Sequence, residues 1–193
     1  MSHRIRCRPP HGEVRLPSER DVTERWLVDA AYFPGGHARR VFAPACEGEV
    51  AAVLRGFSPV MPLGAQSSLT GGATPLGGAV LATDRLDARE IDAAGRTARC
   101  GAGVALVQVQ QGALPHGLFL APAPTYDGAF VGGAVATNAA GAATFKHGPM
   151  RSAVRALTVL LADGGVLDLA RGQVIAAADG SCGIERADGS VTR

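Results

Sequence analysis

The sequence predicts an α+β fold in which a small parallel sheet with helices is followed by a mainly antiparallel sheet. Glycine makes up 26 of the 193 residues, an excess that indicates many tight turns rather than a helical bundle. Between residues 41 and 81, short β-rich runs alternate with a helix-like segment, which favours parallel strands joined through a covering helix. Further along, Asp-Gly pairs at 163–164 and 188–189 lie beside β-rich runs, a pattern typical of antiparallel hairpins.

The first 38 residues are rich in proline, arginine and glycine, and we expect them to form an arm with one short helix. That helix is predicted around residues 21–31, where Trp26, Leu27 and Ala30 would share one face. The arginines nearest the N-terminus are expected to be solvated: Arg4, Arg6 and Arg8.

A second helix is predicted over residues 47–56, in the part of the chain that also carries the parallel strands. Val50, Val53 and Leu54 recur there at i, i+3 and i+4, and Gly56 ends the pattern. The strands predicted around this helix are 41–43, 60–61 and 79–81.

The second half of the chain predicts a hairpin, a helix and then further hairpins. The first hairpin pairs residues 86–91 with 97–102 around a turn at 92–95. A helix follows, ended by Gly117, with an apolar face formed by Leu106, Val109, Ala113 and Leu114. Residues 121–148 show no clear period, whereas 154–162 and 166–169 predict the next hairpin. Because hairpin signals continue to the last residues, we expect the chain to be part of a longer design.

Composition excludes several classes of function. The net charge is +2, and the basic residues are scattered arginines with Lys146 as the single lysine, so a nucleic-acid surface is not expected. No apolar stretch reaches the length of a membrane span and the N-terminus lacks a signal-peptide core, which predicts a cytoplasmic protein. Four cysteines lie far apart without nearby histidines and predict neither disulfides nor a metal site: Cys7, Cys46, Cys100 and Cys182.

Familiar catalytic motifs are also missing. Lys146 does not stand in a Walker A loop, which excludes that type of phosphoryl transfer. Gly101 and Gly103 begin like a dinucleotide fingerprint, but Leu106 occupies the third position, where close packing of helix on strand requires glycine. The chain contains no GxSxG or HExxH motif.

A glycine-rich loop at residues 62–72, here called the first loop, is the strongest candidate for a binding site. It follows a short apolar run and contains Gly64, Gly71, Ser67, Ser68 and Thr70. Glycines allow another molecule to approach the backbone, and amides that no strand or helix uses can bind an anion, most commonly a diphosphate. The alternative interpretation is a glycine-rich connection between two strands, without a ligand.

A second stretch, residues 121–141, is rich in small residues. Gly132 and Gly133 would let a flat group lie on the backbone, while Thr137 and Asn138 could bond ring edges or phosphate. The alternative is that the two glycines merely begin a tightly packed helix. Two such surfaces suggest one extended ligand with a diphosphate and a flat ring, a description that FAD fits.

Four motifs together resemble the FAD-binding domain of the vanillyl-alcohol oxidase / p-cresol methylhydroxylase (PCMH-type) superfamily. The similarity runs from about residue 40 to 171 and is greatest to the glycolate oxidase and D-lactate dehydrogenase type. The motifs are SSLTGGATP at 67–75, PTYDGAFVGGAVATNAAG at 124–141, TFKHG at 144–148 and LADG at 161–164.

The resemblance implies a fold, a cofactor and site residues. Residues 39–193 would form the PCMH-type FAD-binding domain, with subdomains at about 39–104 and 105–193 and FAD between the two lobes. The first loop would surround the diphosphate through Leu63, Gly64, Ala65, Gln66, Ser67, Ser68, Thr70 and Gly71. The ribityl chain, isoalloxazine or adenosine would face Pro124, Thr125, Gly132, Gly133, Thr137 and Asn138.

Departures from the family pattern carry further expectations. Some relatives attach FAD to a histidine in the first loop, where this chain has Gln66, so the resemblance implies non-covalent FAD. His37 lies well upstream of that loop and is not expected to take this role. The later FAD-contacting segment and the substrate (cap) domain of the family have no counterpart here, so no catalytic acid or base is assigned.

The resemblance therefore implies an FAD-dependent oxidoreductase, or part of one, that oxidises a 2-hydroxy acid of the glycolate or D-lactate type. In that reaction the flavin accepts a hydride. The alternative is a non-catalytic FAD- or nucleotide-binding subunit, or a truncated remnant, that needs a partner chain to supply the substrate domain.

Overall fold

The computed structural model describes residues 3–122 and 124–192, which group into two compact units. The first unit combines residues 3–16, Cys46–Phe57 and 154–192, and the second combines Pro17–Ala45 with Ser58–Ala153. Each unit is therefore assembled from segments that are distant in sequence. The division predicted from the sequence, at residues 38 and 104, stays a prediction.

The described residues contain short strands and short helices in mixed order. The strands are β1 (Arg4–Arg6), β2 (Glu19–Arg20), β3 (Arg40–Phe42), β4 (Val60–Leu63), β5 (Ala79–Ala82), β6 (Arg89–Asp92), β7 (Thr97–Cys100), β8 (Ala156–Leu160), β9 (Val166–Ala170), β10 (Gly183–Glu185) and β11 (Val191–Thr192). The α-helices are α1 (Glu47–Gly56), α2 (Leu106–Ala113), α3 (Val131–Ala136) and α4 (Thr144–His147). Single 3₁₀ turns occupy Glu24–Trp26, Leu114–His116 and Met150–Ser152.

The second unit is built on a four-stranded sheet in the order β2-β3-β5-β4. Strands β3, β5 and β4 run parallel, whereas β2 joins the edge antiparallel to β3. All four residues of β5 are buried, as expected for a central parallel strand covered on both faces. The core beside it contains Trp26, Val41, Leu63 and Val80.

The rest of the second unit follows the sequence pattern closely. Strands β6 and β7 form the predicted antiparallel hairpin, with Ile91 paired to Ala98. Helix α2 buries Leu106 and Val109 and continues into a 3₁₀ turn that ends at Gly117, whose φ is +67°. Glycine is favoured at that position because a side chain is strained at positive φ.

The first unit contains the mainly antiparallel part of the chain. Strands β8 and β9 form a hairpin in which Leu160 pairs with Val166, as the Asp-Gly signal predicts. In a second sheet, β10 pairs antiparallel with β11 and parallel with β1. Helix α1 has the predicted bounds and buries Val50, Ala51 and Val53. Parallel strands are followed by antiparallel ones, which confirms the α+β class.

One predicted element is wrong in type. Instead of a helix around residues 21–31, the chain forms a single 3₁₀ turn, in which the Leu27 amide bonds to the Glu24 carbonyl. The reason lies at Asp29, whose side chain accepts the Ala31 amide while its carbonyl accepts that of Tyr32. A side chain that bonds nearby amides in this way competes with helix formation.

The segment 3–38 is paired with later parts of the chain. Strands β1 and β2 join sheets there, and Arg6 and Arg8 form ion pairs with carboxylates. Arg8, whose side chain is 26% exposed, is thus not solvated as expected, whereas the Arg6 side chain is 77% exposed although it pairs with Glu185. No helix among the residues described is long and apolar enough to cross a membrane.

Candidate functional site

The first loop leaves the sheet of the second unit at the carboxyl end of β4. Leu63, the last residue of β4, is buried, and its carbonyl accepts the amide of Thr83 at 2.9 Å and the Thr83 hydroxyl at 3.0 Å. Thr83 directly follows β5, so the carboxyl ends of two parallel strands meet where the loop begins. Ligands of open parallel sheets typically bind at this edge.

Most backbone amides of the first loop have no hydrogen-bond partner in the part of the chain that the structure describes. Among residues 3–122 and 124–192, no acceptor is bonded to the amides of residues 64–69 or of Gly71. Residues 64–68 are nevertheless partly buried. Because buried main-chain donors are nearly always satisfied, such a run requires water or a bound anion.

Two hydroxyl residues of the loop, Ser68 and Thr70, form hydrogen bonds within the loop itself. The Oγ of Ser68 accepts the amide of Thr70 at 3.3 Å and that of Gly72 at 3.2 Å. It also lies 3.3 Å from Oγ1 of Thr70. Ser68 therefore closes the turn, while the Ser67 hydroxyl, on a partly buried residue, forms no hydrogen bond to the residues described. The sequence suggested no such division between neighbouring serines.

Gln66 holds the loop to a neighbouring segment. Its φ is +53°, an uncommon conformation for a residue other than glycine. Its Nε2 donates to the Val28 carbonyl at 2.8 Å, and its own carbonyl accepts the Ala30 amide at 3.0 Å. The side chain that the sequence placed beside a diphosphate is thus bonded to the protein through Nε2, while the backbone amide has no acceptor among the described residues.

Gly71 is held against the same neighbouring segment by packing. Its φ is +76°, and a Cβ placed there would lie 2.8 Å from the Phe33 ring. Only glycine combines that conformation with so close a ring. Segment 28–33 therefore contacts the first loop at its middle, through Gln66, and near its end, at Gly71.

Asp29 is a residue of this site that the sequence analysis missed. Its side chain is buried, with 3% exposure, and it accepts the amides of Ala31 at 3.0 Å and Ala73 at 3.3 Å. Burial alone would raise the pKa of this carboxyl, but the amides of Ala73, Ala31 and Phe33 hold the pKa below its ordinary value. A lone acid beside the apolar residues of 26–28 was the signal available in the sequence.

The second stretch approaches the first loop at Phe130. This residue directly precedes α3, and a Cβ on Gly64 would lie 3.7 Å from the Phe130 Cβ. That distance is an ordinary van der Waals contact, so a Cβ at residue 64 would meet no clash with Phe130. The contact brings the start of the first loop and the start of α3 together within the second unit.

The two glycines of α3 have different surroundings. The Gly132 amide donates to the Ala102 carbonyl at 2.9 Å, and a Cβ on Gly132 would lie 2.7 Å from the Ala102 Cβ. Gly133 has open space where its Cβ would be, and its amide bonds to no acceptor in the described chain. Gly132 thus fits the interpretation of a tightly packed helix start, whereas Gly133 leaves its backbone accessible.

The other predicted residues of the second stretch lie around α3 or just before it. Pro124 is partly buried and Thr125 is exposed. The Thr137 hydroxyl donates to the Gly133 carbonyl at 2.9 Å, within the helix end. Asn138 has a φ of +49°, and its Oδ1 accepts the Arg151 amide at 3.1 Å. Thr137 and Asn138 therefore shape the end of α3 through protein bonds that the sequence did not predict.

A cluster of charges lies in the first unit. Arg8 donates to Glu47 at 2.8 and 3.1 Å and to Asp168 at 3.1 Å, and Thr158 donates to Asp168 at 2.8 Å. Hydrogen bonds from Arg8 lower the pKa values of both carboxyls. A cavity of about 360 Å³ lies beside this cluster, lined by residues 4–8, Asp168, Gln173 and Val174, and contains none of the predicted site residues.

Comparison with known proteins identifies the chain through both sequence and fold. The family described as FAD binding domain matches residues 38–170. A D-lactate dehydrogenase of Archaeoglobus fulgidus is 41% identical over 134 residues, which cover 67% of this chain and 30% of that protein. The glycolate oxidase subunit GlcD of Escherichia coli K12 is 37% identical over 114 residues, which cover 58% of this chain and 23% of that protein.

The fold comparison agrees. A crystal structure of 6-hydroxy-D-nicotine oxidase from Arthrobacter nicotinovorans matches with a TM-score of 0.71 at 22% identity, and the match covers 84% of this chain and 36% of that one. That likeness shows a shared fold of the PCMH type. The matched region spans only about a third or less of each of these proteins.

Proposed function

This chain belongs to the FAD binding domain family of PCMH-type flavoproteins, and from that premise we propose that it is the FAD-holding part of a 2-hydroxy-acid oxidoreductase. The cofactor class follows from the family. The substrate class is inferred from relatives named D-lactate dehydrogenase and glycolate oxidase. The observation that carries the proposal is the run of unpaired amides at residues 64–69 and 71.

The diphosphate of FAD would lie on the first loop, held mainly by main-chain donors. A diphosphate has several acceptor oxygens, and a partly buried loop with unpaired amides provides donors without a net charge. The residues proposed to surround it are Leu63, Gly64, Ala65, Gln66, Ser67, Ser68, Thr70 and Gly71. Of these, Gln66 would contribute its amide rather than its side chain, which is bonded to Val28.

The rest of the cofactor would extend along the second stretch. Gly133 offers an unpaired amide and no side chain, so a flat ring can approach its backbone closely. Gly132 would act differently, by letting α3 pack against Ala102. The remaining residues proposed to face the cofactor are Pro124, Thr125, Thr137 and Asn138.

FAD is proposed to be bound without a covalent link. Gln66, at the position where some relatives have a histidine, has no nucleophilic atom, and its Nε2 is bonded to the Val28 carbonyl. Acid precipitation tests this point. The yellow colour should remain in the supernatant, and colour that stays with the precipitated protein would contradict it.

FAD supplies hydride acceptance when it is bound. The chain's own contribution would be to bind and orient: loop amides fix the diphosphate, and backbone donors beside the ring favour negative charge there. The residue that removes the substrate proton is not assigned among the residues described. It is expected in a substrate domain, on this polypeptide or on a partner chain.

A second candidate is an FAD-binding module that does not turn over substrate alone. It is the alternative that the sequence left open, and the matched region covers 30% of the D-lactate dehydrogenase and 23% of GlcD. A module of this kind would have the same cofactor site and would depend on another chain for the substrate site.

The cytoplasmic location expected from the sequence also stays a prediction, which cell fractionation would test.

One experiment separates the two candidates. The purified chain is examined for a flavin absorption spectrum and then mixed anaerobically with D-lactate or glycolate. Bleaching of the flavin supports an enzyme that is complete in itself, and a yellow protein that does not bleach supports the module. A colourless protein that takes up no added FAD would contradict both.

A further inference from the structure

Segment 28–33 contacts the first loop and the residue directly after it through three kinds of interaction. The first is the Asp29 carboxylate, which accepts the Ala73 amide directly after the loop. The second is the pair of bonds that joins Gln66 to Val28 and to Ala30. The third is the Phe33 ring, which lies against Gly71.

Asp29 is the most buried charged residue among those for which the structure gives burial, with 3% exposure. Burying a carboxylate is unfavourable unless hydrogen bonds replace its hydration. Here backbone amides from its own turn and from Ala73 provide those bonds. They also lower the pKa of the carboxyl, so the charged form that accepts these bonds is the favoured one near neutral pH.

The amides of the first loop can bind one anion together only while they point in the same direction. Another part of the protein must keep them in that arrangement. Water can satisfy the same donors in a less ordered loop, and ordering that loop on binding would weaken affinity for a ligand. A site that is held in its bound geometry avoids this cost. The first loop has its own internal bond acceptor in Ser68, whereas the hydrogen bonds that join its middle and the residue directly after it to the rest of the unit run to segment 28–33.

The geometry points to Asp29 as a positioning residue for the cofactor site, which holds the first loop in its binding conformation without touching the cofactor. This inference rests on the proposed function, since it assumes that the loop binds the FAD diphosphate. Asp29 acts through the Ala73 amide at one end of the loop, and Gln66 secures the middle.

The test replaces Asp29 by asparagine, which keeps the shape but removes the charge and turns one acceptor into a donor. The full chain is titrated with FAD, and binding is followed by quenching of flavin fluorescence. We expect Asp29→Asn to weaken FAD binding by on the order of 10-fold, together with faster hydrogen exchange of the amides at 64–73.

Two control variants separate positioning from general destabilisation. Asp21→Asn makes the same chemical change at an exposed aspartate of the same unit and should bind FAD as the unmodified chain does. Val80→Ala removes buried volume from the central sheet and should lower the unfolding midpoint while leaving FAD affinity within about twofold. If Asp29→Asn and Val80→Ala lower affinity in proportion to their loss of stability, the positioning role is wrong.

A further variant keeps the test decisive if Asp29→Asn does not fold. Gln66→Met removes the bond to Val28 at the other attachment and should weaken FAD binding in the same way. If the unmodified chain binds FAD and a folded Asp29→Asn binds it equally well, the inference fails while the proposed function stands. If Asp29→Asn does not fold, unchanged binding by Gln66→Met overturns the role of segment 28–33 in holding the loop. If the unmodified chain binds no FAD, the proposed function itself fails.

Discussion

The first loop differs in its hydrogen bonding from the cluster of Arg8, Glu47 and Asp168, here called the Arg8 cluster. In the first loop, main-chain amides at residues 64–69 and 71 have no acceptor among the described residues, although most are partly buried. In the Arg8 cluster, one guanidinium is bonded to two carboxylates and each of these accepts a further donor, from Thr158 or from the His11 amide.

This difference separates a surface suited to binding from one that supports the fold. Unpaired donors at the end of a parallel strand have capacity for a ligand, whereas Arg8, Glu47 and Asp168 already satisfy one another. Charge alone would have pointed to the Arg8 cluster, and the cavity of about 360 Å³ lies there too. Counting unsatisfied donors points to the first loop instead.

The largest expected effect comes from Gly64→Val. A Cβ at residue 64 would lie 3.7 Å from Phe130, an ordinary contact, so the Cβ itself meets no clash there. The branched side chain would occupy the space over the loop backbone where the diphosphate is proposed to lie. We expect FAD affinity to fall by at least roughly 100-fold, measured by fluorescence titration.

The control for this variant is Cys182→Ser, because Cys182 is an exposed free thiol of the first unit, outside the proposed site. It should change neither FAD affinity nor stability. Full FAD occupancy in Gly64→Val would mean that the loop backbone is not the binding surface.

A smaller effect is expected from Arg8→Gln, and on stability only. Removing the guanidinium leaves Glu47 and Asp168 near each other without their shared partner. Because Asp168 is more than half exposed, solvent screens the pair, and we expect a loss of about 1 kcal/mol, or roughly 2–4 °C in melting temperature. FAD affinity should not change, and a clear loss of it would show that the two regions are not independent.

The pH dependence of that variant follows from the two lowered carboxyl pKa values. Their stabilisation is present above the ordinary carboxyl pKa and is lost as the pH falls through the lowered values. The difference in melting temperature between Arg8→Gln and the unmodified chain should therefore be full near pH 7 and should shrink as the pH falls below the ordinary carboxyl pKa and through the lowered values. A difference that does not shrink as the pH falls would indicate packing by Arg8 rather than charge pairing.

Local patterns account for what the sequence predicted correctly. The i, i+3, i+4 spacing around Val50 and Val53 defines α1, and the Asp163-Gly164 turn defines the β8–β9 hairpin, because each depends on neighbouring residues only. The first loop could be recognised because its glycines and hydroxyl residues are adjacent in sequence.

What the sequence did not predict depends on contacts between distant residues. Asp29 became relevant through the Ala73 amide, and the helix expected around it was replaced by its local turn. Gly132 and Gly133 are indistinguishable as letters, but only the first faces Ala102. The side chain of Gln66 was placed at the ligand because no local pattern shows that the Val28 carbonyl lies within reach.

The smallest effect, and the sharpest for the comparison, is expected from Gly133→Ala. Its amide is unpaired like those of the first loop, but it belongs to a helix, where alanine is favoured over glycine by up to about 1 kcal/mol. Because the space at its Cβ is open, the variant should melt at the same or a slightly higher temperature. FAD affinity should nevertheless fall a few-fold, since the methyl group would stand where the ring approaches the backbone. Stability would then rise or stay the same while FAD affinity falls, an outcome that no general weakening of the fold produces. An unchanged FAD affinity would remove Gly133 from the proposed site.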